Sequence, residues 1–306
     1  MPQTQRFFSG ATDMDALVDL IADQLILSDA WGTADATLVA GAHPAKRALQ
    51  HLTDTNFYVT LDRNLVTSVG GWNANEIRVQ VSTGFNAATH APSGTIQVTG
   101  IPTESAINSN PTANNKLGSH WTWIDASGFT VLSTWAGSAF NDYTVLFTLE
   151  RNSAKEYADG FSNFFVASLA SANPIIGNNS GQGLYYGNRS VSFGQDFQRC
   201  IIGRPFSFQE YSADSNSLEK FFGAYRSPGN SKVYFEFPYF SNNQLPLQRS
   251  PIAQTQRFFW VQPPGGGLAD GDLVTYVQGA STLTFLVKLL QSPDSTNYAP
   301  WAIRQA

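Results

Sequence analysis

Residues 76–82 read Glu-Ile-Arg-Val-Gln-Val-Ser. Ile77, Val79 and Val81 alternate with Arg78, Gln80 and Ser82. Only an extended chain gathers such a set on one side, because successive residues of a strand face opposite ways. The segment predicts a strand in a sheet with one covered face, and it has many companions. Residues 57–61, 95–98, 129–135, 143–150, 183–193, 232–237, 257–262, 272–277 and 283–290 are rich in Val, Thr, Phe and Tyr and are bounded by turn-forming residues. Residues 163–169 read as strand or helix. No helical segments alternate regularly with these strands, as a doubly wound sheet would require. The expected fold is mainly β: an antiparallel β-sandwich or barrel-like domain with long loops and a short N-terminal α-containing segment. The expected division is 1–55 for that segment and 56–306 for the β domain, with a boundary near 170–180 if the latter is two subdomains.

One amphipathic helix stands out near the start. Met14, Leu17, Val18, Ile21 and Leu25 recur at helical spacing, with Thr12 as an N-cap, Asp13 and Asp15 in the first turn, and Gly32 as the stop. Asp15, Asp19 and Asp23 fall on the opposite side and read as a solvated face. A second, shorter helix is expected from Pro44 to about Leu52, with proline in its first turn. Long turn-rich tracts separate the strands, among them 84–94 and 104–119, and the latter is the candidate for an extended arm.

The hexapeptide Gln-Thr-Gln-Arg-Phe-Phe occurs at 3–8 and again at 254–259. Its flanks share no register, so it does not record a duplicated domain. Both copies have strand chemistry. They read as similar β segments that arose independently or, more sharply, as two interface or sheet-edge strands with Arg6 and Arg257 as candidate contact residues.

Charged residues make up 13% of the chain, about half the usual share. Aromatic residues also reach 13%, and of 18 cationic side chains only six are Lys: Lys46, Lys116, Lys155, Lys220, Lys232 and Lys288. Subunit contacts favour aromatics and Arg over Lys, since a rigid ring or a weakly hydrated planar cation loses less on desolvation. The surface thus reads as one that neighbours cover. A net charge of −5 with no basic run argues against a general grip on nucleic acid. The single cysteine, Cys200, excludes an internal disulfide framework and a thiolate zinc cluster. No signal peptide and no apolar run of membrane-spanning length is apparent, so the expectation is a chain kept in the cytosol where it is made, without membrane insertion.

No enzyme signature emerges, and neither a cofactor nor a metal is expected. The histidines, His43, His51, His90 and His120, lack ligand spacing and read as surface or turn residues. Ser180 in Gly-Asn-Asn-Ser-Gly is misplaced for a nucleophile elbow, and Gly265–Gly267 lacks the Lys-Ser/Thr of a phosphate loop. Asp270 and Asp272 sit in a stretch too short for an EF-hand. Carboxylates such as Asp142, Glu150, Glu210 and Glu236, with tryptophans at 121, 123, 135, 260 and 301, keep a sugar-binding or sugar-cleaving protein as the alternative.

Two stretches carry a resemblance. Residues 283–306 end in a strand, a polar turn and Trp301-Ala302-Ile303-Arg304, and residues 128–152 hold paired aromatic-rich strands before an arginine. Both resemble virion structural proteins of tailed bacteriophages, although the chain departs from that pattern after Arg151. The resemblance implies a non-enzymatic structural subunit of the tail or baseplate, or a head-decoration protein. It implies a homo-oligomer that contacts neighbouring virion proteins and is located in the virion. A host surface glycan is the further candidate partner, through a receptor-binding tail tip.

Overall fold

A computed structural model describes residues 4–8, 12–42, 44–63, 77–101, 116–117, 119–135, 143–151, 164–170, 183–186, 189–190, 200–203, 210–211, 234–236, 239–242, 251–254, 258–262, 271–278, 280–291 and 298–304. Among these the chain is mainly β, with antiparallel sheets and one N-terminal helix. It divides into two units, Met1–Leu149 with Val166–Gly183, and Glu150–Phe165 with Leu184–Ala306.

The first unit begins with β1 (Thr4–Phe8), β2 (Thr12–Asp13) and the helix α1 (Met14–Leu27). Next come β3 (Trp31–Thr33), β4 (Lys46–His51), β5 (Tyr58–Asp62), β6 (Ile77–Asn86) and β7 (Ala91–Ile101), which form a five-stranded sheet in chain order. The remaining strands are β8 (Lys116–Leu117), β9 (Ser119–Asp125), β10 (Gly128–Trp135), β11 (Tyr143–Arg151) and β12 (Phe164–Ala170). A second sheet runs β1-β9-β10-β11-β12, so the N-terminal strand lies at its edge. The helix touches β3, β4 and β5 of the first sheet and β9 and β10 of the second. That position between two sheets explains its pattern. Met14, Leu17, Val18, Ile21, Ala22 and Leu25 are all fully buried. They are buried between the two sheets, each large apolar side chain worth roughly 1.5–3 kcal/mol on burial.

The expected alternation holds over residues 77–81, whereas Ser82, expected on the uncovered side, is buried where the register with β7 shifts between Val81 and Ser82. In β6, Ile77, Val79 and Val81 are buried while Arg78 and Gln80 are half-buried. Four local expectations are corrected. The helix ends at Leu27 with Asp29 in the left-handed region (φ 59°), and Gly32 belongs to β3. Strand β2 reaches Asp13, so Asp13 rather than Thr12 directly precedes the helix. Residues 46–51, expected to be helical, form β4 between β3 and β5. Burying Arg47, Leu49 and His51 there outweighs local helix propensity, which tertiary packing commonly overrides. Residues 84–94 are not a loose loop: β6 and β7 continue outward in register to Asn86 opposite Ala91. The Asn86 side chain closes the hairpin by accepting the N–H groups of Ala88 (2.9 Å) and Thr89 (3.4 Å). The proposed arm at 104–119 lies outside the described residues up to 115, and its last residues enter β8 and β9.

The second unit holds β13 (Gly183–Tyr186), β14 (Arg189–Ser190), β15 (Cys200–Gly203), β16 (Glu210–Tyr211), β17 (Tyr234–Glu236), β18 (Tyr239–Asn242), β19 (Pro251–Gln254), β20 (Phe258–Gln262), β21 (Leu273–Gln278), β22 (Ser281–Gln291) and β23 (Tyr298–Arg304). One sheet runs β16-β15-β18-β19 and another β17-β20-β23-β22-β21. In β22 the fully buried Phe285 and Val287 alternate with the half-buried Thr284 and Leu286, so this sheet also has one covered face.

The two hexapeptides adopt different structures. Residues Thr4–Phe8 of the first form β1, which pairs along its length with β9 and places Arg6 opposite Thr122. The second is divided: Gln254 closes β19, Phe258 and Phe259 open β20, and Arg257 lies outside the described residues. Strand β20 is interior, between β17 and β23. The expectation of two equivalent edge strands is therefore corrected: the first copy lies in one edge strand, whereas the described residues of the second are split between the edge strand β19 and the interior strand β20.

Candidate functional site

Three arrangements gather the chemically capable side chains. The first corrects the solvated reading of the acidic helix row for Asp15, which is buried, and Asp19, which is half-buried, while Asp23 is exposed as expected. Asp15, Asp19 and Asp23 are one helical turn apart and lie over β4. Asp15 Oδ1 accepts the Ala45 N–H (2.8 Å) and lies 3.9 Å from Nε of Arg63, which is fully buried. Arg47 spans the next two acids, donating to Asp19 Oδ1 at 3.0 Å and Asp23 Oδ1 at 2.7 Å. Asp19 Oδ2 also accepts the Gly41 N–H at 2.7 Å. Each of these carboxylates is thus opposite a guanidinium, and the cluster fixes the helix on its sheet. It is a structural brace.

The second arrangement is at the hairpin tip. His90 occupies the left-handed region (φ 51°), where His is one of the better tolerated side chains. Its Nδ1 lies 2.7 Å from Asp35 Oδ2. Asp35 Oδ1 accepts the Thr37 hydroxyl (2.6 Å) and N–H (3.0 Å). The Thr37 hydroxyl, then His90, then the Thr37 N–H favour the ion, and although burial opposes them the Asp35 pKa is lowered from 3.8 to about 2. An ionised acceptor makes Nδ1–H the donor. A carboxylate-oriented imidazole is half of a catalytic or metal-binding device. Among the described residues no group of three metal-ligating side chains occurs. Its evident work is to latch the β6–β7 hairpin to the loop after β3.

That latch has a pH signature. A carboxylate with a lowered pKa stabilises the fold above its ordinary value of 3.8, and the contribution is lost as pH falls through about 2. Asp35→Asn should flatten the acid limb of the stability profile between those values, followed by thermal melts at stepped pH. An unchanged limb would show that folding does not favour the ion.

The third arrangement is in the second unit, where register brings sequence-distant candidates together. Glu236 of β17 lies opposite Trp260 of β20, Trp260 opposite Trp301 of β23, and Trp301 opposite Lys288 of β22. Directly opposed residues of paired strands share a face. Sequence reading named Glu236, Trp260 and Trp301 separately and missed Lys288. No signal in one sequence aligns four strands separated by long connections.

The other candidates are scattered. His51 is buried rather than exposed: Trp31 packs edge-on against it, with ring centroids 5.0 Å apart, and its Nδ1 lies 3.3 Å from the Thr53 N–H and 3.2 Å from the Asp54 N–H. His120 falls opposite Phe8 and Ser133. Glu150 is buried in β11, and Glu210 falls opposite Gly203. Trp123 is buried and Trp121 half-buried in β9, while Trp135 closes β10. Cys200 pairs through its backbone with Asn242. The Asp272 carbonyl accepts the Val287 N–H at 2.8 Å. His43, Asp142, Ser180, Gly265–Gly267 and Asp270 lie outside the described residues. Among the described residues no helix is long and apolar enough to cross a membrane.

Comparison with protein-family models, with curated proteins and with solved structures gave no match to this chain. The function is therefore argued from the chain's own chemistry.

Proposed function

We propose that the protein is a structural subunit of a tailed-phage virion, a component of the tail or baseplate, made in the bacterial cytoplasm and working through interfaces with its own copies and neighbouring virion proteins. One observation carries this reading: the scarcity of ionic groups, Lys above all, in a chain rich in aromatics. The structure deepens that scarcity. Arg47, Arg63, Asp15, Asp35 and Glu150 are buried, so part of an already small set of charges is withdrawn from the surface. A surface poor in strongly hydrated groups is one that neighbours cover at low desolvation cost. Strand β1 supports the same reading, since an edge strand has a backbone side that its own sheet does not pair.

Deleting residues 1–10 tests this. Strand β9 keeps β10 as its partner, so the truncated chain should retain its circular dichroism spectrum while failing to build large assemblies. Assembly indistinguishable from that of the full chain would remove β1 from the account. Sugar binding at a tail tip is the second reading. The register pairing of Trp260 with Trp301 favours it, because adjacent indoles offer stacking surfaces to sugar rings.

A further inference from the structure

The β6–β7 hairpin has an inner and an outer part. In the inner part Ile77, Val79, Val81 and Ser82 are buried. From Thr83 to Thr95 every residue is exposed or half-buried, and His90 is the one titratable side chain. The two parts join where the register shifts between Val81 and Ser82. There the Ser82 hydroxyl donates to the Gly84 carbonyl at 2.9 Å, and Gly94 is left-handed at φ 60°. A side chain at Gly94 would run into the Thr83 hydroxyl, so glycine is required at this bend.

Register shows how far the outer ribbon must turn. Thr33, Leu49, Val59 and Val81 lie opposite one another in succession, as one row across β3, β4, β5 and β6. Asp35 is two residues beyond that row on one side, and Asn86 at the hairpin end is five residues beyond it on the other. At about 3.3 Å per residue and 4.8 Å per strand, a flat sheet would hold His90 and Asp35 roughly 25 Å apart. Yet His90 Nδ1 lies 2.7 Å from Asp35 Oδ2. The ribbon therefore curls back toward the far edge of its own sheet, where β3 lies.

We propose that residues 83–95 form a strap, hinged at Ser82–Gly84 and Gly94, that the His90–Asp35 contact holds closed. Without a buried residue of its own, the ribbon gains little from burial to hold the curl, so the catch at its tip carries that task. The receiving half of the catch is built without the ribbon: the Asp35 side chain is 2% exposed, and Thr37 fixes its Oδ1 through both hydroxyl and N–H. The buried inner hairpin stays with the sheet when the catch opens, since segments with few buried contacts open locally rather than with the whole fold. The strap goes beyond the subunit reading and does not depend on it.

Spin labels on the exposed positions Ala87 and Val39, in the full chain with Cys200→Ala, test this by their separation in frozen solution. The otherwise unaltered protein should give one narrow, short distance. His90→Gly suits the left-handed backbone but removes the imidazole, and Asp35→Ala removes the acceptor. Each should favour the open form about tenfold or more, as the loss of a hydrogen bond to a charged group does. The added distances should be longer by about 10 Å or more and broad, as expected of a ribbon that straightens. His90→Asn should keep most of the short distance, because its amide nitrogen stands where Nδ1 stood. Short distances unchanged in both His90→Gly and Asp35→Ala would overturn the strap, and so would loss of the β-sheet circular dichroism signal together with the catch.

Discussion

Arg63→Met is expected to cost the first unit about 3–5 kcal/mol, measured as a fall in the urea midpoint at unchanged slope. The guanidinium is fully buried and lies 3.9 Å from Asp15, whose own side chain is only 11% exposed. Removing the cation takes a buried positive charge from beside that carboxylate. The cost arises from the buried carboxylate that stays behind rather than from the lost attraction, because both charges were already desolvated. The double variant Asp15→Asn/Arg63→Met should therefore recover much of the loss. A single variant within about 1 kcal/mol of wild type, the usual worth of a surface pair, would mean that the brace is not energetically buried.

Trp31→Ala should be comparably severe, about 3–5 kcal/mol, the range for deleting a large buried aromatic. Trp31 is 1% exposed. Its ring meets His51 edge-on and Phe57 at 5.8 Å, and its Nε1 donates to the Ala126 carbonyl at 3.0 Å. Ala126 is in the two-residue turn between β9 and β10, so one side chain pegs the first sheet to a hairpin of the second. Trp31→Phe separates the contributions. Retaining a ring while stranding the carbonyl should cost roughly 1–3 kcal/mol beyond the lost packing volume. Should Trp31→Ala melt like wild type, the peg joining the sheets would have to lie elsewhere.

What could be read from sequence follows from where burial coincides with hydropathy. The stripe of α1 and the alternation of β6 were legible because their apolar residues are the buried ones. Strand β4 was illegible because its covered positions include Arg47 and His51, which are tolerated there by Asp19, Asp23 and the β5-side loop rather than by their own character. The acidic row misled for the same reason: its partners lie on other elements. The outer part of the β6–β7 hairpin is exposed, so no alternation marks it, and its Asn, Thr, Pro and Gly imitate a loop. Strand β9 was missed although Trp121, Thr122, Trp123 and Ile124 have strong strand character, and the Asp125-Ala126-Ser127-Gly128 turn after it was the available signal. In that turn Asp125 Oδ1 accepts both the N–H and the hydroxyl of Ser127, at 2.8 and 2.7 Å. The Glu236–Trp260–Trp301–Lys288 row depends on register among four strands, a tertiary quantity no local pattern encodes.

The central claim is that this chain's chemistry belongs to a molecule its neighbours cover, and the native mass of the untagged, full-length protein tests it most directly. Mass photometry over a dilution series should show defined multiples of one chain that persist into the nanomolar range. Particles of single-chain mass throughout, from material that is folded, would contradict it.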